Sequence, residues 1–359
     1  MSVLKILHGL LKRAKVPLLC LAVGSQIFII VAIFSAATYL LAQEDPSATH
    51  SPSRIQAIAS TLVTVEKRVL SGLPLLPLSK KEAPLVAAII ENHEDARPQQ
   101  AGLRDAEVVF ELSAEGDISR FLALFRADDL PDSIGPVRSL RLHFVSLLDP
   151  YASLLLHIGG HPLAYDALRK STRIIDHDGI RYDGETFERS KEFAPPHNLF
   201  MEKEALLSIL TEKKEELPST PFPLYPVKQD LPPDAENALT IFLNFGSPVH
   251  DVTYTFDRWK HEYKRSIDGA PIQATPENIV ILEADVQGYG TPGAIPWTNT
   301  YGQGHMILFR NGKKIEGIWK RTEGEPLEFL TTERKVLPLT PGQVWITMLP
   351  SLRMVENAE

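Results

Sequence analysis

The longest uninterrupted apolar run of the chain lies near its N-terminus. Residues 16–42 contain no charged side chain, whereas about 20 apolar residues suffice to cross the hydrocarbon core of a bilayer. The run is also too long for the core of a secretory signal peptide, which has about 7–15 residues. Basic residues precede the run and acidic residues follow it. Because positive charge stays in the cytoplasm, we expect a cytoplasmic tail at 1–15, a single transmembrane helix at 16–42 and an extracytoplasmic body.

Shorter apolar runs dominate the first half of this body. A polar linker and a stalk helix are expected at 43–80. Continuous apolar runs with the length of buried strands then occur at 85–90, 108–112, 121–125 and 154–158. Helical patterns occur at 139–148, 162–170 and 201–213. The combination predicts an α/β domain at 81–216 with a mostly parallel or mixed sheet.

The second half of the body has a different pattern. A proline-rich segment at 217–238 is typical of an interdomain linker. Short alternating strands follow, so we predict a β-rich C-terminal domain at 239–359. The dipeptides Asp268-Gly269 and Asn311-Gly312 each favour a hairpin turn. Asn-Gly in particular suits a type I′ turn, because both central residues of that turn need positive φ.

Charge and cysteine content narrow the function classes. The formal net charge is −8 at pH 7, whereas nucleic-acid-binding proteins present a basic surface, so we predict no nucleic-acid partner. The single cysteine, Cys20, lies inside the long apolar run. The body therefore forms no disulfide and depends on apolar burial for its stability. The sequence contains neither a P-loop nor a nucleophile-elbow motif, and we predict no cofactor.

Arginines lie within or beside the ends of predicted strands in the first half of the body. They are Arg97, Arg120, Arg138 and Arg141. A guanidinium group binds phosphate or carboxylate with two parallel hydrogen bonds, so this group of arginines predicts a site for an anionic ligand. The alternative is that they form structural ion pairs with Asp105, Glu111 and Glu115.

Further polar side chains complete the predicted ligand site. They are Asn92, His93, Glu111, Glu115, His157, His197 and Asn198. The two glutamates are also candidates for an acid–base pair, provided that the segment between them stays extended. The histidines suggest a metal as an alternative. However, Gly159 and Gly160 make a loop between His157 and His161, so the helical two-histidine zinc geometry does not follow, and we predict no metal site.

Short motifs of the body resemble those of a known family. They include Asn92-His93-Glu94-Asp95-Ala96-Arg97-Pro98-Gln99, Glu115-Gly116-Asp117-Ile118-Ser119-Arg120-Phe121, Ile134-Gly135-Pro136-Val137-Arg138-Ser139, His157-Ile158-Gly159-Gly160 and Pro196-His197-Asn198-Leu199. In this order they resemble the YerB-like family of bacterial envelope lipoproteins. The resemblance implies two domains and an extracytoplasmic location, but no reaction. Family members carry a lipid-anchored cysteine, which the N-terminal apolar helix would replace here.

A second similarity concerns only the order of elements. An apolar strand, a basic motif and a strand ending in a Gly-Gly loop before a helix resemble the cell-wall polymer transferases of the LytR-CpsA-Psr type. Those proteins hold a polyprenyl pyrophosphate with arginines, and the analogy rests on fold alone.

These observations together favour a single-pass membrane protein that is held to the lipid bilayer by its N-terminal helix. Its expected function is to bind an anionic envelope ligand, such as a lipid-linked wall precursor. The alternatives are a phosphotransferase or hydrolase acting on that ligand, and a non-catalytic envelope assembly module. The residue pattern does not decide whether the protein is an enzyme.

Overall fold

The computed structural model describes residues 82–115, 118–221, 224–227, 235–291 and 294–358. Lys80–Glu359 form one compact unit. The cytoplasmic tail, the transmembrane helix and the stalk helix that the sequence predicts all lie outside the described residues. Within those residues, no helix combines the length and the apolar character needed to cross a membrane.

Strands are the main elements of this unit. In chain order they are β1 (Glu82–Ala83), β2 (Leu85–Glu91), β3 (Val108–Ser113), β4 (Ser119–Arg126), β5 (Ser133–Ile134), β6 (Ser153–His157), β7 (Ile174–Asp178), β8 (Phe187–Arg189), β9 (Leu199–Glu202), β10 (Thr220–Pro221), β11 (Glu236–Asn237), β12 (Thr240–Leu243), β13 (Val252–Asp257), β14 (Glu262–Ile267), β15 (Ala270–Pro271), β16 (Asn278–Glu283), β17 (Val286–Gln287), β18 (Trp297–Thr298), β19 (Gly302–Arg310), β20 (Lys313–Arg321), β21 (Glu328–Thr331), β22 (Val344–Leu349) and β23 (Val355–Ala358). The α-helices of the described residues are α1 (Leu142–Leu148), α2 (Pro162–Lys170), α3 (Gly179–Tyr182) and α4 (Lys203–Glu212).

A sheet of eleven strands forms the centre of the unit. Its order is β11-β20-β19-β16-β22-β3-β4-β2-β6-β7, with β21 paired to β20. Four pairs are parallel, namely β16–β22, β22–β3, β2–β6 and β6–β7. All residues of β2 and β3 are buried. Burial on both faces explains why these strands are continuous apolar runs in the sequence rather than alternating ones.

Each face of the sheet packs into its own core, because successive side chains of a strand point to opposite faces. On one face, Phe121 of β4 packs in a cluster with Tyr254, which belongs to a second sheet of order β15-β14-β13-β12-β23. On the other face, Leu122 packs in a cluster with Phe144 of α1 and Ala164 of α2. Residues at odd and even positions of β4 therefore lie in different environments.

The expected α/β class is wrong, because the described residues are mostly β. The helices predicted at 139–148, 162–170 and 201–213 do occur, as α1, α2 and α4, and that at 162–170 coincides with α2. However, parallel crossovers in the first half of the body are confined to β2, β6 and β7, whereas β3, β4 and β2 pair antiparallel. The late strand β22 lies beside β3, so the segments 81–216 and 239–359 contribute strands to the same sheet.

Both predicted hairpins are confirmed. Asn311 and Gly312 have φ values of 51° and 69°, and they connect β19 to β20 with Arg310 paired to Lys313. Asp268 and Gly269 have φ values of 49° and 73° and connect β14 to β15. Positive φ at both central residues is the type I′ geometry that the Asn-Gly dipeptide favours.

Candidate functional site

A charged cluster begins where β2 and β4 end. Glu91 is the last residue of β2 and lies opposite Arg120 on β4. Directly opposite residues of an antiparallel pair place their side chains on the same face, which here is the face of α1 and α2. Nη1 of Arg120 donates a hydrogen bond to the carbonyl oxygen of Ser139 at 2.7 Å. This bond holds the guanidinium against the segment that leads into α1.

The segment before α1 adds two further arginines. The backbone N–H of Arg138 donates to the carbonyl of Ile89 in β2, and Nε of Arg138 lies 2.9 Å from Oε1 of Glu91. Arg141 precedes the first residue of α1, and its Nε donates to Oε1 of Glu115 at 2.5 Å. We refer to Arg120, Arg138, Arg141, Glu91 and Glu115 as the arginine cluster.

The arginine cluster has more cations than anions. Burial and the charges of Arg141 and Arg138 lower the pKa of Arg120 to about 10, although Glu115 acts in the opposite direction. Burial alone would raise the pKa of Glu115, but the nearby Arg120 and Arg141 lower it. Both groups are therefore ionised at neutral pH. Among the described residues, the carboxylates that contact these three arginines are Glu91 and Glu115, so the cluster carries one net positive charge.

The cluster is covered on one side and open on the other. Burial and the charges of Arg120 and Arg141 lower the pKa of His143 in α1 to about 3, so this ring stays neutral beneath the guanidinium groups. The side chains of Arg138 and Arg141 remain 22% and 13% exposed. A solute can therefore contact them from outside.

Two histidines extend the cluster beyond Glu91. Nδ1 of His197 lies 2.8 Å from Oε2 of Glu91, so Glu91 connects Arg138 with His197. The ring of His93 stacks on that of His197 with 4.9 Å between the ring centroids. Asp95 is close to this pair, with its Oδ2 3.5 Å from Nδ1 of His93.

A second polar network lies on the opposite face of the sheet. Glu111 is completely buried and accepts hydrogen bonds from Ser119 Oγ at 2.7 Å, Arg265 Nη2 at 2.7 Å and Trp345 Nε1 at 2.8 Å. Asn92 donates to Ser119 Oγ at 2.8 Å. We call these five residues the Glu111 network. It connects strands from both halves of the body and is closed to solvent at Glu111 and Arg265.

The structure does not bring all predicted ligand residues together. Arg97 donates from Nε to Asn92 and from Nη1 to the carbonyl of Val249 at 2.6 Å, so it belongs to the side of the Glu111 network. His157 is fully buried between Gly159 O and Asp176. Asn198 bonds to Ser190 and Arg189 in the loop before β9. The predicted residues that do lie at or beside the arginine cluster are Arg120, Arg138, Arg141, Glu115, His93 and His197.

Three charged residues in or beside these networks were not among the predicted site residues. Glu91 is hidden at the end of an apolar strand, although a charge that ends such a run directly before Asn92 is a usable signal. Asp95 lies two residues after His93. Arg265 shares the buried face of β14 with the apolar residues Tyr263 and Ile267. Only the burial of that face distinguishes it from a surface arginine.

Comparison with known proteins identifies the family to which this chain belongs. Residues 70–216 match a family model described as "Protein of unknown function (DUF3048) N-terminal domain", and residues 241–346 match the corresponding C-terminal domain. The chain therefore belongs to the DUF3048 family, the YerB-like family that its motifs resemble.

A particular relative supports this assignment. The chain is 32% identical over 279 residues to "Putative lipoprotein YerB" of Bacillus subtilis (strain 168), which covers 74% of this chain and 81% of the relative. It is also similar to the crystal structure of YerB from Bacillus subtilis, with a TM-score of 0.68 and 29% identity over 81% of this chain and 98% of that chain. The relative is thus matched in sequence and in fold.

Proposed function

We propose that this protein binds a phosphate-bearing anion of the bacterial cell envelope, such as a lipid-linked wall precursor, at the arginine cluster. The observation that carries the proposal is the convergence of Arg120, Arg138 and Arg141 on two carboxylates, with the side chains of Arg138 and Arg141 partly exposed to solvent. A surplus of positive charge at a partly exposed position attracts an anion in a chain that is net negative overall. An extracytoplasmic location is supported by the name of the Bacillus relative, a putative lipoprotein.

Arg138 is the member of the cluster best suited to contact the ligand. Its Nε faces Glu91, while the nearest acceptor for its Nη1 is the carbonyl of Pro196 at 3.5 Å. Within the described part of the chain, Nη2 of Arg138 has no hydrogen-bond partner. A phosphate group that accepts from both Nη atoms would satisfy these donors with the paired geometry that guanidinium favours.

The test is binding of farnesyl pyrophosphate, a prenyl pyrophosphate with a short lipid, measured by isothermal titration calorimetry on the full chain. Arg138→Lys keeps the charge but cannot make two parallel hydrogen bonds, so its affinity should fall about tenfold, or ~1.4 kcal/mol. The matched control is Arg169→Lys on α2, whose side chain is 68% exposed and pairs with Asp166. This control should bind like the wild type.

Two further results decide the proposal. Inorganic pyrophosphate should compete with farnesyl pyrophosphate if the headgroup is what the cluster recognises. Failure of the wild type to bind, or equal affinity of Arg138→Lys and wild type, would contradict an anion site at Arg138 and leave the assembly-module interpretation.

Hydrolysis of the same ligand is a second candidate function, favoured by the position of His197. Its ring is oriented by Glu91 directly beside Arg138, and a histidine oriented by a carboxylate is a common general base. Water would then attack phosphorus and cleave the phosphoanhydride bond, releasing inorganic phosphate. Release of phosphate from farnesyl pyrophosphate by the wild type, lost in His197→Ala, distinguishes an enzyme from a binding protein.

A further inference from the structure

We propose that His93, Asp95 and His197 bind a divalent transition-metal ion of the zinc type. One candidate ligand atom from each residue lies within 4.8 Å of those from the other two. In a tetrahedral zinc site with bonds of about 2.0–2.1 Å, ligand atoms are separated by about 3.3 Å. The side chains therefore need to approach by little more than an ångström to close around an ion.

The contact between Glu91 and His197 is the second observation that supports a metal site. Nδ1 of His197 is 2.8 Å from Oε2 of Glu91, whose side chain is only 5% exposed. A carboxylate on one ring nitrogen fixes the tautomer and directs the other nitrogen, here Nε2, outward with its lone pair free. Metal-binding histidines have this carboxylate support in many proteins.

The turn that follows β2 positions the other two ligands, His93 and Asp95. The backbone N–H groups of Ala96 and Arg97 both donate to the carbonyl of His93, which closes a turn around Asp95. As a result Oδ2 of Asp95 is 3.5 Å from Nδ1 of His93, close to the separation in a tetrahedral site. The N–H of Asp95 also donates to this nitrogen, but over 3.2 Å, and a metal bond would replace that long contact.

The chemistry of the donors indicates the kind of ion. Two imidazoles and one carboxylate favour zinc and its neighbours in the first transition series, whereas magnesium and calcium prefer oxygen ligands alone. Asp95 supplies a negative charge directly to the ion, and Glu91 acts on it only through the ring of His197. Three protein ligands also leave a fourth position open, which is the arrangement of catalytic rather than structural zinc sites.

Glu91 places this site next to the arginine cluster. One of its oxygens faces Nε of Arg138 at 2.9 Å and the other faces His197 at 2.8 Å. An anion held by Arg138 would therefore lie beside the open position of the metal. Metal binding itself does not depend on the proposed anion site, because the three ligands are separate from the arginines. It does exclude His197 as a general base, because Nδ1 faces Glu91 and the metal would occupy Nε2.

The experiment uses the full chain, freed of metal by chelation and dialysis, and titrates it with Zn²⁺ alone by calorimetry. Asp95→Asn removes an exposed ligand and should weaken binding at least tenfold without loss of folding, because Asp95 is 70% exposed. Glu91→Gln should weaken binding about 10–100-fold through the orientation of His197. Co²⁺ should give visible absorption typical of a tetrahedral site in the wild type but not in Asp95→Asn.

His305→Ala is the matched control, because His305 is an exposed histidine on β19. It should bind Zn²⁺ like the wild type. If the wild type does not bind, or if Asp95→Asn and His197→Ala bind as tightly as His305→Ala does, the site does not exist. Because no anion is present in this titration, its failure would leave the proposed anion site untouched, and failure of pyrophosphate binding would leave the metal site untouched.

Discussion

Two glutamates four residues apart have opposite roles in this fold. Glu111 lies within β3 and is completely buried, with its oxygens accepting from Ser119, Arg265 and Trp345. Glu115 lies just after β3, its side chain is 35% exposed, and it faces Arg120 and Arg141. Both are pairs of a carboxylate with guanidinium groups. The pair at Glu111 is closed to solvent and structural, whereas the one at Glu115 is open to solvent and has surplus positive charge.

The difference follows from the face of the sheet on which each pair lies. The Glu111 network is on the face that packs against the second sheet, where Phe121 and Trp345 exclude water. A charge there must be paired, since an unpaired buried ion is costly. Arg265 pairs with Glu111, although its Nη1 has no hydrogen-bond partner among the described residues. The arginine cluster is on the other face at the sheet's end, where the exposed donors of Arg138 can remain incompletely satisfied at small cost. Exposure of the arginine side chain to solvent, 22% at Arg138 against 0% at Arg265, is therefore what distinguishes the candidate binding group from the structural one.

The substitution with the largest expected effect removes the cation of the closed pair. Arg265→Ala leaves Glu111 buried without its cation and should destabilise the fold by about 3–5 kcal/mol. Arg265 also lies 4.8 Å from the centroid of the Trp345 ring, so cation–π contact is lost as well. Denaturant unfolding measures the change, and Arg141→Ala in the open cluster is the comparison. Its expected loss is only ~1 kcal/mol, because Glu115 is 35% exposed and still faces Arg120. An equal loss of unfolding free energy in the two variants would contradict this difference between the buried pair and the partly exposed one.

Glu277 sharpens the comparison because it is a mostly buried carboxylate that no arginine contacts among the described residues. Burial raises the pKa of Glu277 to about 7, although the backbone N–H of Gln343 donates to it at 2.6 Å and acts in the opposite direction. As the pH rises, the unfolded state releases this proton at its ordinary pKa of 4.5, whereas the folded state keeps the proton up to a higher pH. Stability from this group is fully present below about pH 4.5 and decreases as the pH rises to about 7.

Glu277→Gln removes this titration and keeps an acceptor for Gln343. The variant should be more stable than the wild type by up to ~3 kcal/mol at pH 8 and about equally stable at pH 4. Urea unfolding of both proteins at the two pH values measures the difference. A gap that does not change with pH would mean that folding does not raise the pKa of Glu277.

Local sequence patterns predicted the elements well and their arrangement poorly. The run at 85–90 is β2, and the positive φ of Asn311 and Gly312 follows from the conformational freedom that the hairpin turn needs. These features depend on neighbouring residues. The insertion of β22 beside β3 depends on contacts between residues more than 200 positions apart, for which a single sequence carries no pattern. That insertion is what makes the central sheet continuous across the two halves of the body.

The same limit applies to the candidate site. The chemistry of Arg120, Arg138 and Arg141 was sufficient to propose an anion site, since guanidinium groups near strand ends are identifiable in the sequence. Their partner Glu91 was missed because it completes an apolar strand. Glu111 and Glu115 were grouped together because the break in β3 after Ser113, which changes the direction of the chain, has no clear signal in the sequence.

The smallest expected effect tests the open pair at Glu115. Although burial opposes it, the charges of Arg120 and Arg141 lower the pKa of Glu115 from its ordinary 4.5. Stability from this ion pair is therefore present above about pH 4.5 and is lost as the pH falls through the lowered pKa. Because the Glu115 side chain is 35% exposed, solvent weakens the pair, and Glu115→Gln should cost only about 0.5–1 kcal/mol at pH 7.

Ligand binding should respond to Glu115→Gln in the opposite direction from stability. The substitution raises the net charge of the arginine cluster by one and releases Arg141 from its ion pair, so the affinity for farnesyl pyrophosphate should increase by a few-fold, or roughly 1 kcal/mol. Calorimetry at low and at moderate salt concentration measures the gain, which should shrink as salt screens the added charge. A buried, closed pair would instead lose stability without any gain in binding. Weaker binding by Glu115→Gln would mean that Glu115 positions the arginines for the ligand rather than competing with it.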